Sequence, residues 1–167
     1  MQIRKRFAVV VVCGVLAGTG QADAANELSA REAAAIAMKN AGVAAEDIFN
    51  LKTEHDEENG IAVYAVEFET KYGDYDFCVA RRNGRIIDAD CEVREEWIRR
   101  QPAARDSENA VRLEVVRRVP GASSSQVLLR RQKDRWEGLL RHDGFKYEFE
   151  ADRRTGIISD WNAEMRR

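Results

Sequence analysis

The chain has 167 residues, with 27 Lys and Arg set against 29 Asp and Glu, for a net charge of −2. Charge so nearly balanced, with no basic stretch interleaved with aromatics, excludes a nucleic-acid-binding composition. The one long apolar run, Phe7 to Leu16, is about ten residues and too short to span a bilayer as a helix.

That run lies behind Arg4, Lys5 and Arg6 and ahead of the small residues Ala22-Asp23-Ala24. The order predicts a signal peptide over residues 1–24 and a periplasmic or secreted mature protein, free of the membrane once the segment is cut. Val12 argues against lipid attachment at Cys13, because a lipoprotein signal places a small residue there. Without residues 1–24 the net charge becomes −4, unevenly spread. Residues 25–91 hold seven bases and fourteen acids, whereas residues 106–167 hold thirteen bases and eleven acids. Such asymmetry orients modules or steers a charged partner.

Ser29-Ala30-Arg31-Glu32 has the capping-box pattern, with Ala33, Ile36, Ala37 and Ala41 on one helical face and Gly42 as the stop. Residues 48–54 read as a short strand and His55 to Gly60 as an acidic turn. Tyr64, Val66 and Phe68 then alternate with Val63, Ala65, Glu67 and Glu69, the period of a strand with one buried face. Tyr72-Gly73-Asp74 turns the chain. Tyr75, Phe77 and Val79 repeat the alternation, Arg82-Asn83-Gly84 turns again, and Arg85 to Asp90 closes. Residues 92–105 form a helical junction ending at Pro102.

A second pattern follows from Asp106. A helix is expected through Val119 with Ala110, Leu113 and Val116 inward, then strands over 126–133, around Trp136 to His142, and from Phe145 to Asp152, with Ile157-Ile158 closing. The copies keep a constant offset: Tyr64 matches Trp136, Phe68 matches Leu140, Tyr75 matches Tyr147, Phe77 matches Phe149, and Gly84 matches Gly156. The expected fold class is therefore α+β, as two tandem units of one helix packed on a three- to four-stranded antiparallel meander. Their bounds are residues 27–91 and 106–167.

The residues Glu32-Ala33…Ile36-Ala37-Met38…Gly42-Val43, Tyr64-Ala65-Val66-Glu67-Phe68 and Asp76-Phe77-Cys78-Val79-Ala80…Asn83-Gly84-Arg85-Ile86 resemble the PepSY domain family. So do Trp136-Glu137-Gly138-Leu139-Leu140 and Tyr147-Glu148-Phe149-Glu150-Ala151-Asp152…Thr155-Gly156-Ile157-Ile158. The resemblance implies a non-catalytic extracytoplasmic module that restrains or regulates proteases. With no peptidase domain in this sequence, the expected action is in trans. The family supplies no catalytic residues.

No nucleophile stands with a base and an orienter, so no enzyme and no cofactor are expected. His55, Asp56, Glu57 and Glu58 are weak metal candidates, since a metal site needs ligands on rigid supports. An oxidising compartment favours pairing Cys78 with Cys91. Both project from one sheet face in either of two hairpin registers, although the distance along the strand is unfavourable. Trp97 and Trp161 fall outside the alternation and are candidates for a partner contact or for packing the two units together. The expected function is binding of a protein or peptide partner, a peptidase among the classes. Alternatives are an envelope structural or assembly factor, and a metal-binding module using the acidic turn His55–Gly60.

Overall fold

A computed structural model describes residues 27–166. The expected signal peptide lies outside the described residues. Helix α1, Ala30–Ala41, starts as its capping box dictates: the Ser29 hydroxyl accepts from the Glu32 amide at 3.3 Å, and a Glu32 carboxylate oxygen accepts from the Ser29 amide at 2.8 Å. It ends at Gly42, whose φ of +72° suits a residue without a Cβ. Strands β1 (Ile48–Glu58), β2 (Ile61–Thr70), β3 (Gly73–Ala80) and β4 (Ile86–Val93) follow as an antiparallel meander. After the short helix α2 (Glu95–Arg100) and helix α3 (Ser107–Arg118), strands β5 (Leu128–Arg131), β6 (Arg135–His142), β7 (Phe145–Asp152) and β8 (Ile158–Met165) make a second meander.

The expectation of two tandem helix-plus-meander units is overturned. The strands form one eight-stranded antiparallel sheet in the order β1-β2-β3-β4-β8-β7-β6-β5, joined at its centre by pairing of β4 with β8. Its main hydrophobic core is undivided: Ala33, Ala37, Tyr64, Phe68 and Phe77 belong to the same cluster as Val111, Val115, Leu140, Phe149 and Trp161. The physical reason is twofold. A four-stranded meander leaves an unpaired edge that invites another strand, and a unit of about 65 residues is only marginally stable by itself. Pairing β4 with β8 satisfies both edges and merges two small cores into one.

The repeat persists in the registers. Phe68 lies opposite Tyr75, as Leu140 lies opposite Tyr147. A bulge falls between Cys78 and Val79 in the first meander, and between Glu150 and Ala151 in the second. Gly84 and Gly156 both take positive φ, and an added Cβ at either would run into the adjoining helical segment, at Ile36 and Ala110 respectively.

Two local expectations also change. Residues 55–58 extend β1, and the turn shrinks to Asn59-Gly60, both at positive φ. Pairing with β2 from Ile61 onward fills the backbone bonds of this acidic segment, which local composition could not reveal. In α3 the buried residues are Val111, Val115 and Arg118, whereas Leu113 is 59% exposed. Valines at 111, 115, 116 and 119 permit two helical faces, and contact with the merged core selects the one spaced by four.

The C-termini of α1 and α3 cap one another. Arg117 donates to the carbonyls of Lys39 and Asn40, both at 2.8 Å, and the Asn40 amide donates to the Arg118 carbonyl at 2.9 Å. These bonds satisfy carbonyls that a helix end leaves free and put a cation at a negative dipole end.

Candidate functional site

One face of the sheet carries the helices and the core, so successive side chains on each strand present the alternate residues to the other face. The strand registers turn that alternation into a row. Glu69 lies opposite Asp74, Asp74 opposite Glu92, and Glu92 opposite Asp160. Asp160 lies opposite Glu150, and Glu150 opposite Glu137. Six carboxylates thus stand on six adjacent strands, at a strand spacing of about 4.8 Å. A parallel row holds Glu67, Asp76 and Asp90, then Asn162 and Glu148. Glu67, Glu69, Asp74, Asp76, Asp90 and Glu92 line a shallow concavity of about 540 Å³.

Like charges placed directly opposite one another destabilise a sheet, and compensation here is partial. Arg94 reaches Asp74 at 3.1 Å at one end, and Arg135 reaches Glu150 at 2.8 Å toward the other. Among the described residues no ion pair engages Glu92, Asp160 or Glu137. Asp160 registers the consequence. Burial first, then the charges of Asp90, Glu150 and Glu92, push its carboxyl up to about 6. The middle of the face therefore favours a bound cation, or a proton in its absence.

On the helix side, a second hollow of about 550 Å³ opens where α1, α2 and α3 meet the end of the sheet. Trp97 of α2 lies in its wall, half-buried and stacked on Tyr72 with ring centroids 4.8 Å apart. Trp161 lies in the core beneath, 2% exposed. It packs against Tyr147 and Phe149 at 5.5 and 5.6 Å, with the Arg118 guanidinium 5.1 Å from its ring centre.

The other residues singled out in the sequence are dispersed. His55, Asp56, Glu57 and Glu58 alternate along β1, so adjacent members point to opposite faces. His55 instead packs edge-on against Tyr64 at 4.8 Å. Among the described residues no group of three or more His, Cys, Asp or Glu is placed to hold a metal ion. Cys78 and Cys91 are both buried, and no disulfide joins them. The bulge in β4 puts Cys78 opposite Asp88, one position away from both registers that place the two cysteines on one face. Cys91 consequently joins the main core while Cys78 joins a smaller cluster with Val63, Ala80, Ile87 and Phe145. Three residues of strand, roughly 10 Å, also separate Cys91 from the position opposite Cys78, beyond the reach of a disulfide. Burial holds the Cys91 thiol up at about 12.

The carboxylate rows are absent from the sequence reading. The outward positions Glu67, Glu69, Asp74, Asp76, Glu148 and Glu150 were legible strand by strand from the period of two. Their alignment into rows needs the registers between strands and the β4–β8 junction.

No family model matches the chain. Over 74 residues it is 34% identical to an uncharacterized protein of Streptococcus pyogenes serotype M6, a match that takes in 44% of this chain and 57% of that protein. The chain thus spans a little over half the length of this curated relative. Among solved structures it is similar to a lipoprotein candidate from Clostridium difficile 630, at 15% identity and a TM-score of 0.25, over 71% of this chain and 82% of that one. Among the described residues no helix is long and apolar enough to cross a membrane.

Proposed function

We propose that this chain is an exported, non-catalytic binding protein that engages a basic segment of a protein partner across the open face of its sheet. The observation that carries this reading is the row Glu69, Asp74, Glu92, Asp160, Glu150 and Glu137 on six adjacent strands. A face that sets like charges side by side costs stability, and a cationic partner offsets that cost. Charge complementarity of this kind speeds encounter and excludes acidic competitors. Export follows from the basic, apolar and small-residue order of residues 1–24. The resemblance to PepSY domains makes a peptidase the partner class to test first.

The test uses the mature chain against basic extracytoplasmic peptidases and against an oligolysine peptide, by titration calorimetry and by residual peptidase activity. Binding is expected to weaken steeply as salt rises from low to physiological strength. The pair of substitutions Glu92→Lys and Asp160→Lys is expected to abolish it while the thermal melt stays cooperative. Binding that ignores both salt and charge reversal would sink the reading. So would a failure of every basic ligand in the panel to bind at low salt.

A further inference from the structure

Arg118 is 92% buried by its 8% exposure, yet it makes one side-chain hydrogen bond, from Nε to Glu114 at 2.8 Å. Among the described residues neither of its Nη groups has a hydrogen-bond acceptor. Its Nη groups are not among the fully buried polar atoms that lack a partner, so they open to the space beside them. The guanidinium carbon lies over the Trp161 ring, and the side chain lines the hollow of about 550 Å³ between the helices. Glu114 does not neutralise it alone, because the same carboxylate also takes two bonds from Arg117, at 2.7 and 2.8 Å. Burial raises the Glu114 carboxyl, but the two guanidiniums outweigh it and hold the group below its ordinary value. Two guanidiniums thus share one carboxylate, and Glu114 matches the Arg118 charge only in part.

The rest of the lining limits what that charge can receive. Lys71 and Asp47 pair at 3.5 Å, and Tyr72 donates to Asp47 at 3.3 Å. Two carboxylates, Asp47 and Glu114, therefore stand in the lining, which disfavours a dianion such as phosphate. The remaining walls are apolar or aromatic: Val43, Val93, Tyr72, Trp97 and Ile157. The volume lies within the usual range for small-molecule sites, about 300–1,000 Å³. A planar fork of free Nη donors suits a carboxylate, which it can bind through two parallel bonds.

We infer that this hollow binds a monoanionic carboxylate carried next to an apolar or aromatic group, with Arg118 as the anion contact and the stacked Tyr72–Trp97 pair against the apolar part. The group has two sources, a free organic acid and the C-terminus of a peptide. The site lies across the sheet from the carboxylate rows, so it stands or falls separately from the reading of that face.

Calorimetry and two-dimensional NMR of the mature chain test it with four probes: N-acetyl-phenylalanine, its amide, a tripeptide ending in phenylalanine, and that tripeptide amidated. The acids are expected to bind at least about tenfold more tightly than the amides, as befits a charge-assisted pair. Tighter binding by the tripeptide acid than by N-acetyl-phenylalanine identifies a peptide end; equal binding identifies the isolated acid. Arg118→Met, which keeps the length and removes the charge, is expected to erase the preference for acids. Trp97→Ala, at a half-buried wall outside the main core, is expected to weaken both acids severalfold and serves if Arg118→Met does not fold. Equal affinity for acids and amides overturns the inference. So does an absence of binding by all four at millimolar concentration, or unchanged affinity in Trp97→Ala.

Discussion

Asp90 pairs with Asn162, the residue that occupies its own position in the second half of the repeat. The flanking pairs obey the same exchange: Asp88 lies opposite Glu164, and Glu92 lies opposite Asp160. The β4–β8 junction is therefore isologous, a contact in which each side presents the same strand to the other. The substitution at its centre also breaks the charge row, since Asn162 stands between Asp90 and Glu148.

That position should be sensitive to charge. Asn162→Asp sets a carboxylate against Asp90 and another against Glu148, and each like pair costs roughly 0.2–1 kcal/mol. A loss of about 1 kcal/mol is expected in urea unfolding at pH 8 and low salt, shrinking as salt is added. A stability equal to that of the parent at low salt would contradict the register.

Asp160 should set a pH dependence. Its carboxyl is raised to about 6 in the folded chain, so the folded state holds a proton that the unfolded state has already released. Stability attributable to this group therefore falls as pH rises from about 4 through 6. Asp160→Asn is expected to raise the melting temperature above pH 6.5 and leave it unchanged near pH 4. The gain should be a few degrees, the scale of about 1 kcal/mol in a chain of this size. Asp160 is only partly buried, which keeps the effect modest. A melting temperature raised equally at both pH values would refute the assignment.

Cys78 and Cys91 should be silent until the chain opens. Cys91 is 3% exposed and its thiol is held up at about 12, while Cys78 is 6% exposed. A thiol-reactive dye is expected to label neither in the native protein at pH 8 and both after denaturation without reductant. A denatured chain with no reactive thiol would instead establish a Cys78–Cys91 bridge.

Gly138 should tolerate no side chain. The ring of Phe149 lies over it, where any Cβ would collide, and the matching residue of the first half is Val66, opposite Phe77. Gly138→Val is expected to cost about 1–3 kcal/mol by overpacking. The companion change Val66→Gly is expected to cost a similar amount by opening a cavity and freeing the backbone. Chemical denaturation of both variants checks the asymmetry between the halves.

Much of the local structure was legible in the residues themselves. The Ser29–Glu32 capping box, the Gly42 stop, the alternation of Tyr64 to Phe68 and of Tyr75 to Val79, and the turns at Gly84 and Gly156 all rest on forces acting within a few residues. Errors arose where local signals were degenerate. The valines of α3 offered two faces. The acidic residues 55–58 looked like a turn because their strand pairing lies in β2. The bulge opposite Cys78 shifted the parity of everything beyond it by one.

The sequence by itself determined which side chains alternate, where the chain turns, and that one pattern occurs twice, because period, capping and turn chemistry are short-range properties. The tertiary structure decided that the two patterns share one sheet and one core, that six acids line up across it, and that Arg118 is buried with unspent donors. Each of these depends on which edge pairs with which and in what register. Backbone hydrogen bonding offers the same donors and acceptors at every register, so the choice falls to the burial of side chains far apart in the chain.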